Sequence, residues 1–192
     1  YKKRKLVPFG EYVPFRRVAE VVVPVFADIG MLTEDLTPGK GSELVDTGWG
    51  KIGTLICFDS IYEMLTLQSV RDGANVMILP TNDSWFTDSA AAYMHNNQAR
   101  YRAIESNRYF VRAADTGITD IITPRGRTEG VLAPMTEGMT VGTVYLNTGR
   151  TLYSYIGNLF VYLLIAALAA LPLWQLRHMF KEKKKEKISR AA

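Results

Sequence analysis

The chain contains a single cysteine, Cys57, at the end of the apolar run in GTLICFD, residues 53–59. A lone cysteine cannot form an intramolecular disulfide, so its thiol stays free. If the side chain projects from a turn between a strand and a helix, a nearby ammonium or helix N-terminus would favour the thiolate, which is the nucleophilic form. A cysteine flanked by aliphatic residues is, on residue type alone, more often a small buried hydrophobe. The local sequence therefore leaves two interpretations open, a nucleophile and a core residue.

Other residue types that carry chemistry give weaker signals. His95 is the only histidine before the C-terminal region and could be paired with Cys57, but the sequence favours a structural or helix-surface residue. The histidine, cysteine and carboxylate residues lack the spacing that is typical of a metal site, and there is no glycine-rich phosphate loop. The sequence therefore predicts no metal ion and no cofactor.

The positive charge of the chain is concentrated at its C-terminus. The formal net charge is +4 at pH 7, and the segment from Arg177 onward holds seven basic and two acidic residues. The body before Arg177 is therefore close to neutral. A nucleic-acid-binding domain carries its basic residues on a folded face, so this distribution argues against nucleic acid as a partner.

Residues 151–176 are predicted to form a transmembrane helix. The stretch from 159 to 174, LFVYLLIAALAALPLW, has no charged residue, and the residues before it extend it toward the roughly 20 that a membrane span requires. The basic segment 177–192 then lies in the cytoplasm by the positive-inside rule, and the body lies on the opposite side. A buried core helix is the competing interpretation, but such a helix seldom lacks a polar face.

Within the body, short aliphatic runs alternate with helical patterns and turn residues. Strands are expected at 53–57, at 76–79 with Pro80 closing the strand, at 109–113 and at 118–123, and helices at 61–71 and 90–106. Strands that alternate with helices and then form a hairpin are typical of a layered α/β fold. The sequence therefore predicts an α/β domain over residues 1–150.

Four segments together resemble the carbon–nitrogen hydrolase (nitrilase) superfamily. They are YKKRKLVPFGEYVPF at the start of the chain, GTLICFD, PTNDSWF and RYFVRAADTGITDIITPRGR, and they occur in that family's order over most of residues 1–144. The resemblance implies an αββα sandwich and a catalytic set of a glutamate base, a lysine and a cysteine nucleophile. Because the chain opens without methionine inside the first segment, we expect a C-terminal part of a longer protein. The sandwich is then incomplete at its N-terminus, and the glutamate base lies upstream of Tyr1.

The same resemblance implies roles for residues of this sequence. It makes Cys57 the nucleophile, Lys3, three positions before LVPFGE, the catalytic lysine, and Glu11 a second essential carboxylate. Five further residues are expected to bind substrate: Phe58, Asp59, Asn82, Trp85 and Phe86. In the family's membrane branch, glutamate is more usual at the position of Asp59 and tyrosine is common at that of Phe58. The aspartate keeps the charge on a side chain shorter by one methylene.

The predicted transmembrane helix and basic tail narrow the resemblance to the membrane-bound acyltransferase branch of the superfamily. That branch implies that Cys57 accepts an acyl chain from a phospholipid as a thioester and passes it to the N-terminal amine of a diacylglyceryl-cysteine apolipoprotein. The expected location is the bacterial inner membrane, with the catalytic domain in the periplasm and the tail in the cytoplasm. Two alternatives stay open. One is an amidase of the same superfamily that uses water as the acceptor, and the other is a catalytically incomplete, membrane-tethered homologue.

Overall fold

The computed structural model of the protein describes residues 1–16, 34–87 and 89–189. The chain divides into two compact units, Tyr1–Ser154 and Tyr155–Ala192. The strands are β1 Val45–Asp46, β2 Lys51–Thr54, β3 Val76–Asn82, β4 Phe110–Asp115, β5 Thr119–Ile122 and β6 Thr128–Leu132. The α-helices are α1 Glu63–Arg71, α2 Ala90–Ser106, α3 Leu152–Ile156 and α4 Leu159–Ser189, and there are short 3₁₀ helices at Cys57–Ile61 and Ser84–Phe86.

The six strands of the described residues form one mixed sheet in which each strand lies beside the next in sequence. The central strand β3 pairs in parallel with both β2 and β4, and the remaining neighbours pair antiparallel. Parallel neighbours need a crossover, which α1 supplies between β2 and β3, and α2 between β3 and β4. The carboxyl ends of β2 and β3 therefore lie at the same edge of the sheet, where the segments that follow them meet.

A hydrophobic core joins this sheet to α1 and α2. Its members are buried side chains from β3, β4, β5, the two helices and the adjoining segments: Leu55, Leu65, Ala74, Met77, Leu79, Ala99, Ala103, Phe110 and Ile122. The contributions of α2 are alanines, whose small side chains let the helix approach the sheet closely. The buried positions of α2 recur at intervals of three and four residues, as on one face of a helix.

The predicted alternation of strands and helices is confirmed, and the predicted helix at 90–106 has the observed bounds of α2. Its ends have local causes. The side chain of Ser89 accepts a hydrogen bond from the Ala91 amide at the first turn, and Asn107 ends the helix in the left-handed conformation with φ 55°. The predicted helix at 61–71 begins two residues later, at Glu63, because residues 57–61 form a 3₁₀ helix.

The prediction that Pro80 closes the second strand is wrong, because β3 continues through it to Asn82. The carbonyl of Ile78 accepts from the Leu55 amide, so the backbone of Ile78 faces β2, and Pro80, two residues on, faces the same way. The pairing of β2 with β3 ends at Thr54, opposite Ile78. Pro80 therefore lacks its N–H at a level where β2 no longer offers a partner, and the strand loses no hydrogen bond there.

The second unit consists mainly of α4, which includes Pro172 within its length. The apolar side chains that the structure describes between Leu159 and Trp174 are exposed. Among the described residues, no helix meets the combined length and hydropathy of a membrane-crossing segment.

Candidate functional site

Cys57 lies where the chain leaves β2 and enters the 3₁₀ helix Cys57–Ile61. Its backbone is left-handed, with φ 51°, a conformation that non-glycine residues adopt at a cost of about 1–3 kcal/mol when the surroundings enforce it. The thiol is partly exposed and donates to the carbonyl oxygen of Asn82, with an Sγ–O distance of 3.7 Å. The only cysteine of the chain is thus presented at the sheet edge rather than buried in the core.

Asp59, two residues after the cysteine, is fully buried and binds the first residues of the chain. Its carboxylate accepts from the Tyr1 hydroxyl at 2.7 Å, the Lys5 amide at 2.7 Å, the Arg4 amide at 3.1 Å and the Ile56 amide at 3.2 Å. Burial raises the pKa of Tyr1 well above its ordinary value, so its hydroxyl keeps the proton that it donates. Asp59 therefore fixes the segment that carries Lys3 against the turn that carries Cys57.

Lys3 and Glu11 form an ion pair, with Lys3 Nζ 2.6 Å from Glu11 Oε1 and side chains that are 11% and 21% exposed. The other carboxylate oxygen of Glu11 accepts from the Val7 amide at 2.8 Å. The backbone amide of Glu11 donates to the Val7 carbonyl, which closes the turn between the two charged residues. Both oxygens of Glu11 are therefore engaged, and the ammonium of Lys3 has a fixed position.

A cavity of about 670 Å³ brings these groups together. Seven of the eight predicted site residues line it: Lys3, Glu11, Cys57, Phe58, Asn82, Trp85 and Phe86. The rest of the wall is largely apolar and includes Val7, Ile56, Ile61, Pro80 and Met94. A thiol and an ammonium–carboxylate pair thus share a cavity whose surface suits a hydrocarbon chain.

Two of the predicted substrate-binding residues have structural contacts of another kind. Asp59 does not line the cavity, because its carboxylate is occupied by the first residues of the chain. Asn82 lines it, but its side chain accepts from the Ser84 amide and its backbone carbonyl faces the thiol. Trp85 is half exposed at the cavity, and Phe86 packs edge-on against His95 with ring centroids 5.8 Å apart.

His95 is a member of the site that the sequence did not assign to it. The prediction left open a structural or a surface residue, and the surface alternative is wrong, because the side chain is 6% exposed. Nδ1 lies 2.7 Å from Asp83 Oδ1, and Nε2 lies 3.2 Å from the carbonyl oxygen of Cys57. The alanines Ala92 and Ala99, three residues before and four after His95, are the sequence signal that could have placed it on the inner face of α2.

Asp83 connects His95 to a buried arginine. Its Oδ2 accepts from Arg112 Nη2 at 2.5 Å, and both side chains are fully buried. Burial alone would raise the pKa of Asp83, but the hydrogen bond from His95 and the charge of Arg112 outweigh it and hold the pKa below its ordinary value. Gly117 packs against this carboxylate, where a Cβ would lie 2.1 Å from Oδ2. Asp83 is therefore an ionised, enclosed link between α2 and β4.

A ligand atom from each of Cys57, Asp83 and His95 lies within 4.8 Å of the others, a grouping that can in principle hold a metal ion. The three residues come from separate elements, so sequence spacing could not reveal the grouping. The oxygens of Asp83 already contact His95 and the Arg112 guanidinium, and a metal cation would meet that positive charge. The donor set therefore fits a hydrogen-bonded network better than a metal centre.

Comparison with known proteins identifies the family of this chain. The family model described as carbon-nitrogen hydrolase covers residues 1–153, and the chain belongs to that family.

Within that family, the chain is similar to apolipoprotein N-acyltransferases. It is 40% identical over 167 residues to that of Geobacter metallireducens, an alignment that covers 87% of this chain and 31% of the relative. It is 32% identical over 176 residues to that of Synechocystis sp., with 92% of this chain and 33% of the relative covered. The chain thus spans about a third of the length of these curated relatives.

Proposed function

We propose that this chain is the C-terminal part of an apolipoprotein N-acyltransferase. In this reaction an acyl chain passes from a phospholipid, through a thioester on Cys57, to the N-terminal amine of a diacylglyceryl-cysteine apolipoprotein. The observation that carries the proposal is the presence of Cys57 and the Lys3–Glu11 pair in one largely apolar cavity of about 670 Å³. A hydrocarbon chain makes use of such a wall, whereas a small amide does not need it.

The first half of the reaction is attack of the Cys57 thiolate on the ester carbonyl. A carbon–sulfur bond forms and the carbonyl oxygen becomes an oxyanion. When the oxyanion collapses, the ester carbon–oxygen bond breaks, and the lysophospholipid takes the proton that the base removed from the thiol and leaves as an alcohol. Lys3 supplies the positive charge for the oxyanion, with the backbone N–H of Phe58 as a second donor. In the second half, the acceptor amine attacks the thioester, a carbon–nitrogen bond forms, and Cys57 leaves as the thiolate.

A general base must take the thiol proton and later the amine proton. In the proposed triad of glutamate, lysine and cysteine, this base is a glutamate upstream of Tyr1. Glu11 is a poor candidate because its two oxygens are engaged by Lys3 and by the Val7 amide. Its proposed role is to orient Lys3. Strands of an αββα sandwich beyond the six of the described residues would come from the same upstream region.

The proposal includes a membrane location for the second unit. Residues 151–176 are proposed as a transmembrane helix and residues 177–192 as a cytoplasmic tail, with residues 1–150 in the periplasm of a bacterial inner membrane. The exposed apolar side chains of α4 and the basic residues that follow them support this arrangement. It would bring the catalytic domain next to the phospholipid donor.

The deciding experiment incubates the full-length protein with phospholipid in detergent and measures the mass of the peptide that contains Cys57. The expected result is an acyl adduct in the wild type that is absent in Cys57→Ala and disappears when a diacylglyceryl-cysteine peptide is added. Ser84→Ala, a nearby exposed change, serves as the matched control and should keep the adduct. A wild-type protein without an adduct would contradict the proposal and favour a catalytically incomplete homologue.

Membership of the carbon-nitrogen hydrolase family keeps a second function open, an amidase in which water accepts the acyl group. The two functions differ in the fate of the thioester and in the need for lipid. An amidase would release ammonia from small amides in the absence of phospholipid. The acyltransferase should release none and should retain its thioester until an amine acceptor is added.

A further inference from the structure

His95 contacts the backbone of Cys57, and this contact has no part in the reaction described above. Nε2 of His95 lies 3.2 Å from the Cys57 carbonyl oxygen and 3.1 Å from the hydroxyl of Ser60, which itself donates to that carbonyl at 2.9 Å. Nδ1 is held by Asp83 at 2.7 Å. One buried ring therefore joins α2, the segment after β3 and the turn that presents the thiol.

The two nitrogens of the ring each face an oxygen that accepts hydrogen bonds. Asp83 Oδ1 and the Cys57 carbonyl oxygen are both acceptors, and Asp83 is ionised beside Arg112. The ring can donate to both of them only in the form in which Nδ1 and Nε2 each carry N–H. In that state the Cys57 carbonyl receives one hydrogen bond from His95 and one from Ser60.

These hydrogen bonds act on a backbone that is not in a relaxed conformation. The left-handed φ of 51° at Cys57 needs support from its neighbours, and the carbonyl of the same residue is the group that His95 and Ser60 hold. We propose that His95 is a positioning residue for Cys57, whose N–H to the Cys57 carbonyl keeps the turn left-handed and the thiol directed at the cavity. The proposal rests on the proposed function only in taking Cys57 as the nucleophile.

A role as general base is a poorer fit to the same geometry. Nε2 faces the carbonyl and the Ser60 hydroxyl, and the thiol of Cys57 donates to the Asn82 carbonyl. The ring acts on the sulfur through the backbone of Cys57. A change at His95 should therefore alter how fast the thiol reacts with any electrophile, including one that has no acyl chain.

The experiment compares two replacements of His95 that keep different hydrogen bonds. The side-chain amide of His95→Asn reaches the position of Nδ1 and can contact Asp83 alone, whereas that of His95→Gln reaches the position of Nε2 and can donate to the Cys57 carbonyl. The rate of Cys57 alkylation by iodoacetamide is measured on the full-length protein by mass spectrometry. Asn97→Gln, an exposed change on the same helix, is the control.

We expect the alkylation rate of His95→Asn to fall by at least about tenfold, because this variant loses one buried hydrogen bond. The rate of His95→Gln should stay within about threefold of the wild type, because it keeps that hydrogen bond. Thermal unfolding of the same variants shows whether either replacement lowers the stability of the fold. An alkylation rate in His95→Asn equal to the wild type would overturn the proposal, and so would equal losses in both variants. Alkylation needs no acyl donor, so the difference in alkylation rate between His95→Asn and His95→Gln can be measured even if no acyl adduct forms. Failure of the positioning role and failure of the proposed acyltransferase function are therefore distinguishable.

Discussion

The ammonium of Lys3 lies 2.6 Å from Oε1 of Glu11, while Oε2 of the same carboxylate accepts from the Val7 amide. The carboxylate is thus fixed on one side by the backbone and fixes the lysine on the other. A lysine side chain is otherwise a flexible stem with a point charge. The pair converts it into a charge with a defined position at the cavity that also contains Cys57.

Lys3→Met should reduce the rate of Cys57 acylation by about 10²–10³, the effect of losing one donor to an oxyanion. Glu11→Gln should cause a smaller loss, about tenfold, because an amide oxygen can still orient Lys3 but carries no charge. Single-turnover formation of the acyl adduct measures both. Lys2→Met removes an exposed lysine next in sequence and should leave the rate within about twofold. Equal rates for Lys2→Met and Lys3→Met would contradict the assigned role.

Asp59→Asn should lower the free energy of unfolding by about 1–3 kcal/mol, because an NH₂ group replaces an oxygen that accepts buried hydrogen bonds. It should also slow alkylation of Cys57, since the segment of Lys3 and the cysteine turn would separate. Thermal unfolding and the iodoacetamide rate are the two measurements. Asp46→Asn changes an exposed carboxylate that accepts from the Gly48 amide and is the matched control. The interpretation fails if the two variants unfold alike.

The stability of the protein should depend on pH through Asp120. Burial raises the pKa of this carboxyl, although Asn96 donates to it and the charge of Arg112 attracts it. The folded state then keeps a proton on Asp120 that the unfolded chain has released. The contribution of the protonated Asp120 to the free energy of unfolding is therefore complete below the pKa of Asp120 in the unfolded chain and is lost as the pH rises through its pKa in the folded state. Asp120→Asn should therefore gain stability relative to the wild type as the pH rises above about 4, the ordinary pKa of an aspartate in an unfolded chain. Unfolding midpoints at four pH values test this, and a difference that stays constant would refute it.

Reporter fusions should place the two ends of α4 on opposite sides of the membrane. Alkaline phosphatase, which is active only in the periplasm, should be active when fused after Arg150 and inactive when fused after Ala192. A green fluorescent reporter should give the reverse pattern. Deletion of residues 159–176 should put both fusion points on the same side. Active phosphatase at both points in the intact chain would exclude the proposed transmembrane helix.

The parts of the fold that the sequence predicted depend on local patterns. The alternation of strands and helices follows from hydrophobic periodicity, and the ends of α2 follow from Ser89 and Asn107. Lys3, Glu11 and Cys57 came from the resemblance to a family, and the structure brings all three to one cavity.

The contacts of Asp59 and His95 could not be predicted from local sequence patterns. Asp59 binds backbone amides and a hydroxyl at the start of the chain, more than fifty residues away in sequence. His95 contacts Cys57 and Asp83, which only the completed sheet brings together. Contacts of this kind are properties of the tertiary structure and leave no local period in the sequence.

Pro80 lies in β3, but its lack of an N–H matters most for the neighbouring strand β2. The pairing of β2 with β3 ends at Thr54, opposite Ile78, and Pro80 two residues further on has no N–H with which to continue it. Pro80 itself lines the cavity at the end of this pairing. The chain is thereby free to turn, and the carbonyl of Asn82, two residues beyond Pro80, faces the thiol. The opening in which the sulfur lies thus depends on Pro80 and Asn82 of β3, and Pro80 is twenty-three residues away from Cys57 in the sequence.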